Sequence, residues 1–172
     1  AAVSRNFDAG HPRPDSLSYS LDVDANQAYW LSSDRTPDAH TSRHFGATPV
    51  RSPLPEFPPL RGRPMLQAPA PLQPISPTTL EFLASQPQGD LHIVRLSVRP
   101  QRLLSSLYLH LDQEVELSGV SVDGSPMKFV QNRSSAASRP TLTFGGLPKE
   151  GAVVQLWLRG KVSPLKVLAI DS

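Results

Sequence analysis

The stretch PDSLSYSLDVDANQAYWLSSD, residues 14–34, sets the reading of the fold. Leu17, Tyr19, Leu21 and Val23 alternate with Ser18, Ser20, Asp22 and Asp24. Successive side chains of a strand point to opposite faces, so a period of two marks a strand with one buried face. Asp24-Ala25-Asn26 follows with turn chemistry, because short Asp and Asn side chains bond nearby backbone groups. Tyr29, Trp30 and Leu31 then give a return strand its aromatic mass. The stretch therefore predicts two strands joined by a tight turn.

The same signature recurs downstream. Leu80, Phe82 and Ala84 share a face, and Gln86–Asp90 reads as a turn. Over 91–99, Val94, Leu96 and Val98 lie opposite Arg95, Ser97 and Arg99. Leu107, Leu109 and Leu111 point inward over 106–112. The strand over 115–122 ends at Asp123-Gly124, a strong hairpin signal with a return strand over 127–130. A polar loop spans 131–139, followed by a short strand over 141–144 and the Gly145-Gly146 turn. Val154, Leu156 and Leu158 share a face over 153–159, with Trp157 on the other, and 165–170 closes the chain. Strands at this spacing, with turn residues between them, predict an all-β protein built as an antiparallel β-sandwich of jelly-roll-like form.

Two segments depart from that pattern. Over 36–45, Thr36 is placed to cap, Pro37 suits the first helical position and Asp38 suits the positive end of a helix, so a short helix of two or three turns stopped by Gly46 is expected. Over 48–77, ten of thirty residues are Pro, which removes backbone donors and argues against helix or central strand. Val50, Leu54, Phe57, Leu60, Met65, Leu66, Leu72 and Ile75 are interspersed through it. A free linker has no need of them, so an ordered extended segment wrapping a sheet is expected over a linker or a ligand for a Pro-binding module. The chain reads as a single domain, 1–172: hairpin plus short helix over 1–47, the Pro-rich segment over 48–77, and the main sandwich strands over 78–172.

Composition narrows the function classes. The chain has no Cys, which excludes disulfides and thiolate metal sites. A net charge of +2 with scattered Arg side chains is not the clustered basic surface that nucleic acid requires, so no nucleic-acid partner is expected. No run of about 18 apolar residues occurs, so no membrane contact by this segment itself is expected. The polar start at Ala1, with neither an initiator Met nor a signal-like segment, reads as a piece of something larger or a processed product.

The candidate chemical sites are few. His40 and His44 stand four apart, as a helical metal pair would, but Arg43 between them opposes a cation and no Glu serves as base. Asp22, Asp24 and Asn26 suggest a calcium turn without its Gly and distal Glu, and a side-chain-stabilised turn accounts for them. His92, His110, Glu114 and Glu116 read as sheet residues. No Gly-x-Ser-x-Gly elbow occurs. Asn132-Arg133-Ser134 fits a glycosylation sequon that matters only in a eukaryotic secretory context. No catalytic, cofactor-binding or metal-binding residue is assigned. Trp30 and Trp157 remain as the possible contact surface, with a carbohydrate- or protein-binding sandwich as one function they could serve.

Residues 7–41 also carry a resemblance. His11, Pro12, Pro14, Ser16, Leu17 and Tyr19, then Leu21, Asp22 and Asp24, then Ala28, Trp30, Ser32 and Asp34, resemble the region after the membrane spans in bacterial, membrane-anchored zinc exopeptidases. These belong to the two-zinc aminopeptidase family and are related to the endoplasmic-reticulum metallopeptidase. The hairpin over 118–125 and the Gly-Leu-Pro-x-Glu-Gly segment over 146–151 look like that family's tail. Val23 stands where the family often has Ala, and Asn26 where Thr-Gly is common. The resemblance implies a non-catalytic C-terminal domain on the periplasmic side of the bacterial inner membrane, packing on the upstream peptidase domain of the same polypeptide or guiding peptide substrate to it. It also implies that zinc belongs to that upstream domain and that no ligand of it lies in this chain.

Overall fold

A computed structural model describes residues 16–53, 63–129, 139–162 and 164–171. Read from sequence as one domain, the chain divides into two compact units, the second taking over at Ile75. Both are antiparallel β-structures, and the all-β sandwich expected from the strand pattern is present. No described helix is long and apolar enough to cross a membrane.

The first unit is one four-stranded sheet. Its strands are β1 (Ser18–Asp22), β2 (Gln27–Ser32), β3 (Val50–Ser52) and β4 (Met65–Pro69), in the order β1-β2-β4-β3. The opening hairpin forms as read, with Asp22 opposite Gln27 as its last pair. Its turn starts one residue early, and Val23 lies within it, 51% exposed. The cause is Asp22, whose Oδ1 accepts a hydrogen bond from the Ala25 amide at 2.9 Å. Asn26 completes the reversal at φ 52°, a left-handed conformation that Asn tolerates better than most residues.

Two expectations for this half are corrected. The Pro-rich segment holds a central strand after all, since β4 lies between β2 and β3. Pro density averaged over thirty residues hides the Pro-free run Met65-Leu66-Gln67-Ala68, which is long enough to donate to both neighbours. Beyond β4 the chain is held in extended form over the hairpin. The Tyr19 hydroxyl donates to the Pro71 carbonyl at 2.9 Å and accepts from the Gln73 amide at 3.0 Å. The part of the expected wrapping segment over 54–62 lies outside the described residues, as do residues 1–15 and the sequon.

The helix is shorter than expected, a single turn α1 (Ser42–Phe45). Thr36 and Pro37 do not start it. Asp38 does the capping instead: its Oδ1 accepts from the His40 amide at 2.8 Å, the Thr41 amide at 2.7 Å and the Thr41 hydroxyl at 2.9 Å. That cluster commits residues 38–41 to a turn and leaves four residues before Gly46, whose φ of 67° ends the helix. These bonds, led by the Thr41 amide, lower the Asp38 pKa below its ordinary 3.8. A carboxyl whose folded pKa is depressed contributes stability above its unfolded pKa and loses it as pH falls through the folded value. A carboxyl-carbon NMR titration should therefore place the Asp38 midpoint below 3.8, and Thr41→Val should move it back up.

The second unit is a two-sheet sandwich. One sheet contains β5 (Thr79–Gln88), β6 (Leu91–Arg99), β8 (Val115–Val122), β9 (Ser125–Pro126) and β11 (Ala152–Gly160), in the order β5-β6-β11-β8-β9. The other contains β7 (Ser106–Leu111), β10 (Thr141–Gly145) and β12 (Val167–Asp171), in the order β10-β7-β12. Val94, Leu96 and Val98 of β6, Leu107, Leu109 and Leu111 of β7, and Val154, Leu156 and Leu158 of β11 are all buried between the sheets. Each such side chain contributes about 1.5–3 kcal/mol by leaving water, so the inward rows are the main source of this unit's stability.

Strand ends differ from expectation where Pro and Gly intervene. β5 runs on through Pro87 to Gln88, leaving only Gly89-Asp90 as the turn. An edge strand tolerates Pro because the missing donor can face away from its neighbour, and Gly89 supplies the positive φ the short turn needs. After Asp123-Gly124, both at positive φ, the return strand is only Ser125–Pro126. Pro126 stands opposite Ser121, and the Met127 amide still donates to the Val120 carbonyl at 2.9 Å. Residues 128 and 129 form no strand, and residue 130 of the expected return strand over 127–130 lies outside the described residues.

A partly buried carboxylate joins the two sheets at one end. Asp171 of β12 accepts from the Thr78 amide at 2.9 Å and the Thr78 hydroxyl at 2.7 Å, just before β5. Its other oxygen takes the Arg102 guanidinium at 2.6 Å. Arg102 Nε is itself buried without a partner, so loss of Asp171 would strand a cation as well as two donors. Asp171→Ala is expected to cost about 2 kcal/mol, read from urea denaturation of the full chain.

Candidate binding surface

The first unit places the motif residues of the opening stretch in contact with one another. Ser16 Oγ lies 2.6 Å from Ser32 Oγ and donates to Asp34 Oδ2 at 2.9 Å. Ser32 Oγ is 3.2 Å from the same oxygen and accepts from the Asp34 amide at 3.1 Å. The Arg51 guanidinium donates to the Asp34 carbonyl at 2.6 Å. Ser32 and Asp34 are buried, so this network ties the segment before β1 to the end of β2, and its hydroxyls are spent on the carboxylate.

Trp30 sits on the same sheet, opposite Tyr19 of β1 and Ala68 of β4. The Tyr19 ring meets it edge-on at 5.5 Å, and His44 of α1 lies against it at 4.6 Å. The half-buried indole is thus enclosed by neighbours from β1 and α1. His40 does not join His44, because its Nδ1 lies 3.1 Å from Arg43 Nη2. Among the described residues no three His, Asp or Glu side chains gather where a metal ion could be held.

In the second unit His110 is buried with its Nδ1 2.9 Å from the Thr141 hydroxyl, across the β7–β10 pair. Glu116 and Asp90 both accept from Arg159, at 3.0 and 2.8 Å. The hydrogen bond Arg159 donates to Asp90, then the one it donates to Glu116, raises the Arg159 pKa. All three side chains reach solvent, Asp90 most of all, so this network is worth little to stability, but it holds the charge of Arg159 on the outer face of the sheet.

Beside it lies the site. Trp157 points outward from β11, in register with Gly119 of β8 and Ile93 of β6. A Cβ on Gly119 would meet Trp157 Cε3 at 3.2 Å, tighter than an ordinary contact, so glycine lets the indole lie across the neighbouring strand. The pairing shifts by one residue between Trp157 and Leu158, a bulge that leaves Ser118 as the extra residue and aims the ring. Around the indole is a shallow concavity of 670 Å³. Leu91, Met127 and Phe129 supply apolar wall, and Ser121 and Gln155 supply polar floor. Ser121 and Gln155 are themselves register partners.

Of the two Trp residues singled out from sequence, Trp157 therefore lines a concave surface and Trp30 packs within its own sheet. Sequence reasoning missed Gly119, Ser121, Gln155, Met127 and Phe129. The outward face of β11 was readable, since Gln155 and Trp157 are two apart, but their partners are set by cross-strand register and by a bulge. The chain matches no known family model, no curated protein and no solved structure.

Proposed function

We propose that this chain is a non-catalytic β domain that accompanies the peptidase domain of a bacterial, membrane-anchored zinc exopeptidase on the periplasmic side, and that its Trp157 concavity holds substrate for that domain. The observation that carries the binding role is the concavity itself: an indole laid over Gly119, with apolar walls and an amide and a hydroxyl at its floor. A volume of this size suits a small ligand or a few residues of a peptide. The parentage rests on the resemblance, which gains physical sense from the Ser16–Ser32–Asp34 network and the Tyr19–Trp30 contact. Residues that are separate in the motif meet in space, so the motif specifies how the module's first sheet closes. Zinc and the water it activates belong in this reading to the upstream peptidase domain, and no residue of this chain is assigned to them.

The sequence encoded upstream in the same gene tests the parentage. A zinc-exopeptidase pattern followed by several apolar spans is the expected result. An unrelated upstream sequence, or none, would overturn it.

A further inference from the structure

The concavity has a definite chemical bias. Its described lining, Leu91, Met127, Phe129 and Trp157 with Ser121 and Gln155, is uncharged. Ser121 and Gln155 make no side-chain hydrogen bond with the described residues around them, so a hydroxyl and a carboxamide are available at its floor. A carboxamide both donates and accepts, as a peptide bond does. A saccharide ring needs hydrogen-bond partners for most of its hydroxyls, and apolar side chains dominate this lining. The balance favours an apolar side chain attached to a peptide backbone. Met127 adds an adaptable wall that suits side chains of different shape.

Two exposed cations flank the site, Lys128 between the lining residues Met127 and Phe129 and Arg95 on the β6 side, and of these Arg95 stands beside the polar floor. Arg95 of β6 is the register partner of Gln155 and is exposed, with no ion pair among the described residues. On the other side, Arg159 is already matched by Asp90 and Glu116. Trp157 is opposite Ile93, so Arg95 is its diagonal neighbour, about 7–8 Å away between Cα positions. In an extended peptide, side chains two residues apart share a face and are separated by about 6.6–6.8 Å. The two spacings match.

We propose that the outer face of this sheet binds an extended peptide in which an aromatic or aliphatic side chain seats on Trp157 and an acidic residue two positions away meets Arg95. The proposal deepens the reading of the concavity as a substrate-holding surface and rests on it for the site alone. Gln155 pairs with the backbone amide between the two anchors.

The test uses the full chain carrying Trp30→Phe, so that Trp157 is the only indole, and reads its fluorescence and the Gln155 side-chain amide signals by NMR. The probes are acetylated, amidated pentapeptides: Gly-Phe-Gly-Glu-Gly, the same with Lys for Glu, and the same with Ala for Phe. Both signals should respond to the Phe/Glu peptide, with affinity about threefold above the Phe/Lys peptide and no response to the Ala peptide. Arg95→Glu, on an exposed position that should not disturb folding, should reverse the Glu/Lys preference. Gln155→Ala should weaken both Phe peptides alike. Equal affinity for the Glu and Lys peptides, an unreversed preference in Arg95→Glu, or a response to maltoheptaose with none to peptides would overturn the proposal. Such failures leave the exopeptidase parentage standing, and an unrelated upstream gene would leave a peptide response standing.

Discussion

Leu156→Ala should lower the stability of the sandwich unit by about 3–4 kcal/mol. Leu156 is fully buried at the centre of β11, the middle strand of the five-stranded sheet, between Val94 of β6 and Val120 of β8. Removing its side-chain carbons forfeits transfer free energy and leaves a cavity walled by strands on both sides. Neither sheet can collapse into that space without breaking register. The measurement is urea denaturation followed by Trp157 fluorescence in a Trp30→Phe background. The midpoint should fall while the slope stays the same, which identifies a change in stability and not in the surface exposed on unfolding. Leu103→Ala is the control. Leu103 is 77% exposed, and its loss should stay within about 0.5 kcal/mol. Equal effects at the two positions would mean that the inward row is not the core.

Gly151→Ala should cost about 3 kcal/mol, combining a left-handed backbone with a steric clash. Gly151 leads into β11 at φ 84°, and its amide donates to the Pro148 carbonyl at 2.9 Å. A Cβ there would sit 2.6 Å from the Val98 carbonyl oxygen and 3.2 Å from Arg99 Cα. Both are backbone atoms of β6, so neither can turn aside as a side-chain tip would. Gly124→Ala separates the two causes. It has a similar φ of 82°, but no atom lies within 4 Å of its added Cβ, so it should show the conformational cost alone, about 1 kcal/mol. Equal losses at the two glycines would show that the approach to β6 is not a tight one. This contact also gives a physical role to the last glycine of the Gly-Leu-Pro-x-Glu-Gly segment.

The inward rows of β6, β7 and β11 were legible because period-two alternation is a local property. Leu107, Leu109 and Leu111 could be assigned a face without knowing their partners. Features that depend on a particular side chain or on register were not legible. Asp22 and Asp38 each capture backbone amides and thereby shift an element boundary by one or several residues. Met65–Ala68 was hidden by the surrounding prolines. Trp157 could be placed on the outward face, but the bulge after it and the absence of a side chain at Gly119 decide what the indole does there, and both belong to strand pairing.

The position of β11 has a consequence for how the molecule is made. All four strands of the first sheet have been synthesised by Pro69, and β1–β2 is a local hairpin, so that sheet can form early on an emerging chain. The second unit cannot. Its five-stranded sheet needs Ala152–Gly160 between β6 and β8, more than fifty residues after β6 ends. Until that strand leaves the ribosome, the β5–β6 pair and β8 hold their leucine and valine rows without a central partner. Such delayed, long-range pairing is slow and exposes sticky surface while it waits. Synthesis therefore proceeds with a finished first sheet and an unfinished sandwich, and the arrival of β11 decides whether the second unit folds or aggregates.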